Sequence, residues 1–191
     1  INTLTWTVTS AAEGCTDSDD MIVTNNQITA DAGDDQTTCD NFYTPLDGND
    51  VSGVGGTGLW SAAGGITFVD ATDYDTRVDN LAQGINTLTW TVTSAAEGCT
   101  DNDQVVITSN AAASNAGGSF ETCDATINLS AVAPANGSGV WTQTNGPGGA
   151  TIVDPLDRET QVTGLVSGVY EFTWTVTNNG CPASSTVTVT N

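Results

Sequence analysis

The chain has 191 residues, with 23 acidic side chains against two basic ones, no histidine, and a formal net charge of −21. That balance makes nucleic acid and anionic membrane poor partners. Without histidine or lysine there is no imidazole base, Schiff-base lysine or Ser-His-Asp triad, and the 38% of hydrophobic residues interspersed with the acids exclude a disordered acidic tail.

The first predicted element is a hairpin. Residues Ile1 to Asp17 read INTLTWTVTSAAEGCTD and recur letter for letter at Ile85 to Asp101, an offset of 84 residues. A diverged third copy follows at the same offset, where Gly168 to Thr177 matches Gly84 to Thr93. A period this long suits a small autonomous domain repeated along a string rather than one solenoid turn. Residues 1–26 match only the last third of a unit and are read as the C-terminal hairpin of a truncated one, whereas 27–110 and 111–191 are whole units. The strands that the hairpin lacks are expected upstream in the same polypeptide, or from a neighbouring molecule as in strand-exchanged fibres. No apolar stretch is long enough for a signal peptide or a membrane span.

Along the first whole unit, runs of Thr, Val, Ile and aromatics separated by Gly, Asn and Asp predict strands at 26–32, 43–46, 58–61, 66–69, 76–81, 86–93 and 105–108. The clearest is 86–93, with Leu88, Trp90 and Val92 on one face and threonines on the other. The second whole unit repeats the alternation at Phe172, Trp174 and Val176, shortens the turn to Asn178-Asn179-Gly180, and ends in a strand over 186–190. About seven short strands per unit, with a tryptophan on a central strand (Trp60, Trp141), predict an all-β fold of tandem immunoglobulin-like antiparallel sandwiches.

Each whole unit carries two cysteines, so one intradomain disulfide per unit is expected: Cys39 with Cys99, and Cys123 with Cys181. Cys15 holds the Cys99 position of the truncated unit, and its partner is expected upstream. Paired cysteines without histidine argue against zinc and for an oxidising, extracellular location.

The order Gly-Leu-Trp60 or Gly-Val-Trp141, a Leu-x-x-Gly turn, Leu/Phe-Thr-Trp-Thr-Val-Thr, then Gly-Cys and a Thr/Val strand resembles the PKD-like, immunoglobulin-like repeats of giant Bacteroidota cell-surface adhesins, including the gliding-motility adhesins. The resemblance covers both whole units and the leading fragment. It implies export, by the type IX route, to the bacterial cell surface, and service as stalk or filament material. Its partners would then be neighbouring repeats of the same polypeptide, or other copies in a fibre, with the adhesion target open.

No enzyme and no cofactor are expected, with calcium the one candidate ion. Asp70, Asp73 and Asp75, and Asp154, Asp157 and Glu159 in the corresponding loop, offer several oxygens to a hard cation. The same residues also suit turns that bind nothing. Asp31, Asp34 and Asp35 are a weaker group, since the next unit replaces them by Asn115, Gly118 and Ser119. Trp6, Trp60, Trp90, Trp141 and Trp174 sit at repeat-equivalent strand positions and are assigned to the core; the alternative is a sugar-stacking platform in a carbohydrate- or ligand-binding module.

Overall fold

The alternation of Leu, Trp and Val with threonine builds the longest ladders of the molecule. In the computed structural model, which describes residues 1–43 and 45–191, β1 (Asn2–Thr9) and β2 (Thr16–Val23) form a two-stranded antiparallel hairpin. The pair β8 (Gly84–Thr93) and β9 (Thr100–Ser109) is the same hairpin in the same register: Leu4 opposite Met21 and Trp6 opposite Asp19 return as Leu88 opposite Val105 and Trp90 opposite Asp103. A third version joins β15 (Val169–Asn178) to β16 (Cys181–Thr190).

The second and third hairpins each lie at the centre of a sandwich. In the first sandwich, β3 (Gln36–Thr38) and β5 (Thr57–Ala62) flank the hairpin in the order β3-β9-β8-β5, and β4 (Phe42–Tyr43), β6 (Thr67–Phe68) and β7 (Val78–Asp79) form the opposing sheet, ordered β4-β7-β6. In the second sandwich, β10 (Phe120–Glu121), β11 (Thr126–Asn128), β12 (Ser138–Asn145), β13 (Thr151–Ile152) and β14 (Gln161–Thr163) give the orders β10-β16-β15-β12 and β11-β14-β13. The fold is all-β, with seven strands per sandwich among the described residues and one short 3-10 turn at Ser52–Val54.

Each sandwich closes over a cross-strand tryptophan pair. Trp60 stands opposite Trp90 with ring centroids 5.0 Å apart, and Trp141 opposite Trp174 at 5.2 Å; all four are fully buried. Such pairs contribute roughly 0.5–1.5 kcal/mol beyond the area they bury. The indoles need room on the adjacent strand, and glycine supplies it. A Cβ on Gly58 would fall inside the Trp90 ring, and one on Gly139 inside the Trp174 ring.

One further device locks the start of each central hairpin. The Asn86 side-chain amide accepts from Ala82 N (2.9 Å) and donates to Ala82 O (2.8 Å), bridging the loop to the strand. In the second sandwich Tyr170 stands at the Asn86 position, and its hydroxyl does the same job with Val166 N (2.9 Å) and Val166 O (3.2 Å). This is the tyrosine corner of immunoglobulin-like sandwiches, built from an amide in one unit and a phenol in the next.

Three expectations need correction. Trp6 is not core: with no second sheet behind β1, it is 74% exposed, beside exposed Leu4, Val8 and Met21. The strand predicted over 26–32 joins no backbone ladder, because carboxylates occupy its amides, as described below. The strand predicted over 43–46 shrinks to Phe42–Tyr43; Thr44 lies outside the described residues, while the amide of Leu46 still reaches Thr76 O at 2.9 Å.

Gly58→Ala and Gly139→Ala should each destabilise their own sandwich by about 3 kcal/mol or more, since a rigid indole in a closed core has little freedom to move aside. Urea unfolding of each variant checks this. A loss below about 1 kcal/mol would mean that the indole can shift.

Candidate functional site at the junction between units

The two cysteines of one unit cannot meet. Cys39 follows β3, which runs parallel to the far end of β9 with Thr38 opposite Ser109, whereas Cys99 immediately precedes the start of β9 at Thr100. The length of β9 separates them, about 30 Å at roughly 3.3 Å per residue, and a disulfide spans at most about 7 Å between Cα atoms. Cys123 and Cys181 lie at opposite ends of β16 in the same way, with Phe120 opposite Val189. The expected pairs Cys39–Cys99 and Cys123–Cys181 are therefore replaced.

The bond that forms is Cys39–Cys181, with Cα atoms 5.2 Å apart and 142 residues between the two positions. It joins the end of the first sandwich to the hairpin turn of the second. Cys15, Cys99 and Cys123 are free and exposed. In the chain-entropy description, closing a loop of that length contributes about 5 kcal/mol, here to the two-unit array.

Asparagines line the same junction. Asn178 Nδ2 donates to Asn110 O (3.2 Å) and Asn179 Nδ2 to Asn110 Oδ1 (3.0 Å), while Asn110 N donates back to Thr38 O (2.8 Å), one residue before the disulfide. On the flank, Gln83 Nε2 donates to Ala111 O (2.8 Å), and its Oε1 accepts from Asn136 Nδ2 (2.6 Å). Asn179 turns the hairpin with φ 45°, and Gly180 follows with φ 86°. The left-handed conformation explains the choice of Asn-Gly at this turn.

Several of the acidic residues serve backbone amides. Asp103 Oδ2 accepts from Ala32 N (2.9 Å) and Asp101 Oδ2 from Ala30 N (3.0 Å), so side chains of β9 hold the first segment of the unit where a ladder would have. Asp35 Oδ1 caps Val106 N at 2.8 Å. In the candidate calcium loops, Asp70 Oδ1 takes the amide and hydroxyl of Thr72 (2.9 and 2.7 Å), Asp154 Oδ1 the amide of Leu156 (3.0 Å), and Asp157 Oδ1 the amide of Glu159 (2.9 Å). Hydrogen bonds from Thr72 hold the Asp70 carboxyl below its ordinary range, and the hydrogen bond with Asp75 pushes Asp73 above it. Asp73 and Asp75 thus come together while Asp70 is engaged in its own turn. Among the described residues, no group of three or more Asp, Glu, Cys or His side chains is placed to hold a metal ion.

Residues 123–190 match the K319L-like PKD domain. The matched span begins at Cys123 and takes in Cys181, and the first sandwich repeats its strand order. No curated protein matches the sequence. Among solved structures, the insect immune protein hemolin superposes with a TM-score of 0.51 at 13% identity, covering 98% of this chain and 55% of its own. Extracellular domains 3–5 of Drosophila OTK give 0.39 at 11% identity (85% and 59% covered), and human protocadherin-24 EC1-2 gives 0.43 at 11% (82% and 93%). The chain thus spans less than two thirds of the hemolin and OTK chains. The hemolin likeness bears on the fold alone.

The two sandwiches differ at one buried polar atom. Trp90 Nε1 donates to Asn49 Oδ1 (3.0 Å), but its counterpart Trp174 Nε1 is buried without a partner among the described residues. Val132 occupies the Asn49 position: Asn49 N donates to Asp31 O, and Val132 N donates to Asn115 O, at 2.9 Å in both cases. Valine has no acceptor to offer. Val132→Asn should stabilise the second sandwich by about 1 kcal/mol through the restored bond, measured as a shift in its urea midpoint; no gain would leave the indole N–H satisfied by other means.

The Asp103 carboxyl is held below its usual range, chiefly by the Ala32 amide and then by Gln104 N. A carboxyl with a depressed native pKa contributes stability above its unfolded value of 3.8 and loses it as pH falls through the lower native value. Amide protection of Ala32 should therefore drop below pH 3.8. Protection of Thr188 should not, because its amide is capped by the Ser119 hydroxyl, which does not titrate there. Asp103→Asn should remove the pH step at Ala32, as read by NMR hydrogen exchange.

Proposed function

We propose that this chain is a structural segment of a large secreted cell-surface adhesin or extracellular fibre, a stalk or filament repeat of PKD-like units, and not an enzyme. The observation that carries this reading is the staple Cys39–Cys181, which fastens consecutive units end to end. A disulfide at a unit boundary stiffens an array and serves no reacting substrate, and it favours an oxidising extracellular compartment. Thr175, Thr173 and Thr186 on the outward strand faces exchange hydroxyl hydrogen bonds with one another or with Ser184 and leave those faces hydrophilic. Together with the net charge of −21 they discourage sideways association of units. Hydrogen-bonded acidic turns support a scaffold role for the carboxylates. The bacterial surface and the gliding-type adhesins belong to the same proposal and rest on the motif order alone.

One observation favours ligand binding as a second reading. A cleft of about 550 Å³ lined by Pro134, Ser138, Leu156 and Arg158 reaches the Trp174 ring, whose N–H is unpartnered. A stalk segment should bind nothing on a glycan array, whereas selective binding abolished by Arg158→Ala would establish the ligand-binding reading instead.

Mechanics tests the stalk directly. Pulled by its ends under oxidising conditions, the protein should conceal the 142-residue loop, and reductant should release about 500 Å of extra extension at roughly 3.5 Å per residue. Equal extension with and without reductant would remove the staple from the load path.

A further inference from the structure

The three free cysteines occupy the same two places as the bonded pair. On the repeat, Cys15 and Cys99 hold the hairpin position of Cys181, and Cys123 holds the first-strand position of Cys39. Although the turn before Cys181 is shorter, the two residues before the cysteine are left-handed in both: Glu97 and Gly98 have φ of 68° and 63°, Asn179 and Gly180 45° and 86°. Since about 30 Å of strand separates the two cysteines of any one unit, neither Cys99 nor Cys123 can close within its own sandwich.

The surroundings of Cys99 correspond in repeat position to one half of the stapled junction. A cleft of about 790 Å³ lies between the end of β2 and the second hairpin turn, lined by Val23, Asn26, Ile28, Glu97 and Cys99 among others. Asn26 stands 84 positions before Asn110. At the stapled junction Asn110 is flanked on one side by the hairpin asparagines and on the other by Thr38, which leads into Cys39. At the Cys99 junction Asn26 and Glu97 line the same cleft, and Cys99 opens into it.

We propose that Cys99 and Cys123 are half-sites of the same inter-unit disulfide, so that the first-strand cysteine of each unit bonds the hairpin cysteine of the unit after it, giving a staggered covalent ladder along the array. The partner of Cys99 is the first-strand thiol of a preceding unit of this kind, and that of Cys123 the hairpin thiol of a following one. This rests on the end-to-end arrangement in the stalk reading. Each bond forms by exchange with an oxidant of the disulfide class. One protein thiolate attacks the oxidant disulfide and displaces its first thiolate. The second protein thiolate then attacks the mixed disulfide and displaces the other, so that two protein thiols are oxidised, one oxidant disulfide is reduced to two thiols, and the two protons pass to the oxidant.

The test uses the 191-residue chain and an extended version in which a second copy of residues 111–191 follows Asn191. Both are refolded in oxidised and reduced glutathione and mapped by mass spectrometry without reduction. Cys39–Cys181 should form in both chains, and in the extended chain Cys123 should bond the hairpin cysteine of the appended copy within one molecule. The free-thiol count should then stay at three, although the copy adds two cysteines. Cys123→Ser should abolish the new bond and leave Cys39–Cys181 intact. In the unextended chain, Cys99–Cys123 peptides joining two molecules would identify a second copy as a source of the partner; their absence, with the new bond present in the extended chain, would confine the ladder to one polypeptide. Cys39–Cys99 or Cys123–Cys181 peptides, or a Cys123 still free in the extended chain, would overturn the ladder. Those results would leave the stalk reading standing, whereas selective glycan binding would sink the stalk reading and leave the disulfide map unchanged.

Discussion

Trp90 resting on Gly58, and Trp174 resting on Gly139, is the contact from which the rest of each sandwich follows. A large ring can cross to the neighbouring strand only where that strand has no side chain, so the Gly-x-Trp spacing of β5 and β12 sets their register on β8 and β15. Once that register is set, Trp60 and Trp141 meet their cross-strand partners, and the period-2 alternation turns Leu88, Val92, Phe172 and Val176 to the same interior. The hairpin β1–β2 has the alternation without a glycine-bearing neighbour. Its tryptophan accordingly lies in solvent, which shows that the pattern orients side chains but does not by itself bury them.

The outer end of that hairpin governs how units connect. A first strand lying parallel to the last places the start of a unit beside the start of β9 or β16, and Cys39 or Cys123 beside the other end. Each unit is therefore polar, with a hairpin cysteine at one end and a first-strand cysteine at the other. Stacking units end to end brings unlike cysteines together. The asparagines at 110, 178 and 179 add side-chain hydrogen bonds across the same boundary.

Most strands were legible because the repeat compares three hairpins, and a strand that keeps its alternation through divergence is easily read. The disulfide was not legible in that way. Counting two cysteines per unit invites pairing within the unit, and only the parallel register of β3 on the far end of β9 rules it out. The segment 26–32 was misread for a related reason: its position beside β9 was foreseeable, but Asp101 and Asp103, two inward acids in an otherwise apolar alternation, were the sign that side chains would receive its amides. The corner made by Asn86 was missed as well, although its replacement by Tyr170 at the head of the corresponding strand is visible in the repeat comparison.

A staple between units changes what the sandwich must withstand. In a simple string, tension passes through every fold in turn, and the weakest unit sets the extension. With Cys39 joined to Cys181, tension applied outside the pair passes through the sulfur bridge, and the strands between those residues are shielded from it. The sandwiches then need only hold the cysteines in place and keep neighbouring chains apart. That division of labour accords with cores of modest size, two tryptophans to each, and with a surface on which Asp35, Asp70, Asp101, Asp103, Asp154 and Asp157 cap backbone amides. It also explains how loops and hairpin turns can diverge between units while the hairpin keeps its cysteine and its core tryptophan.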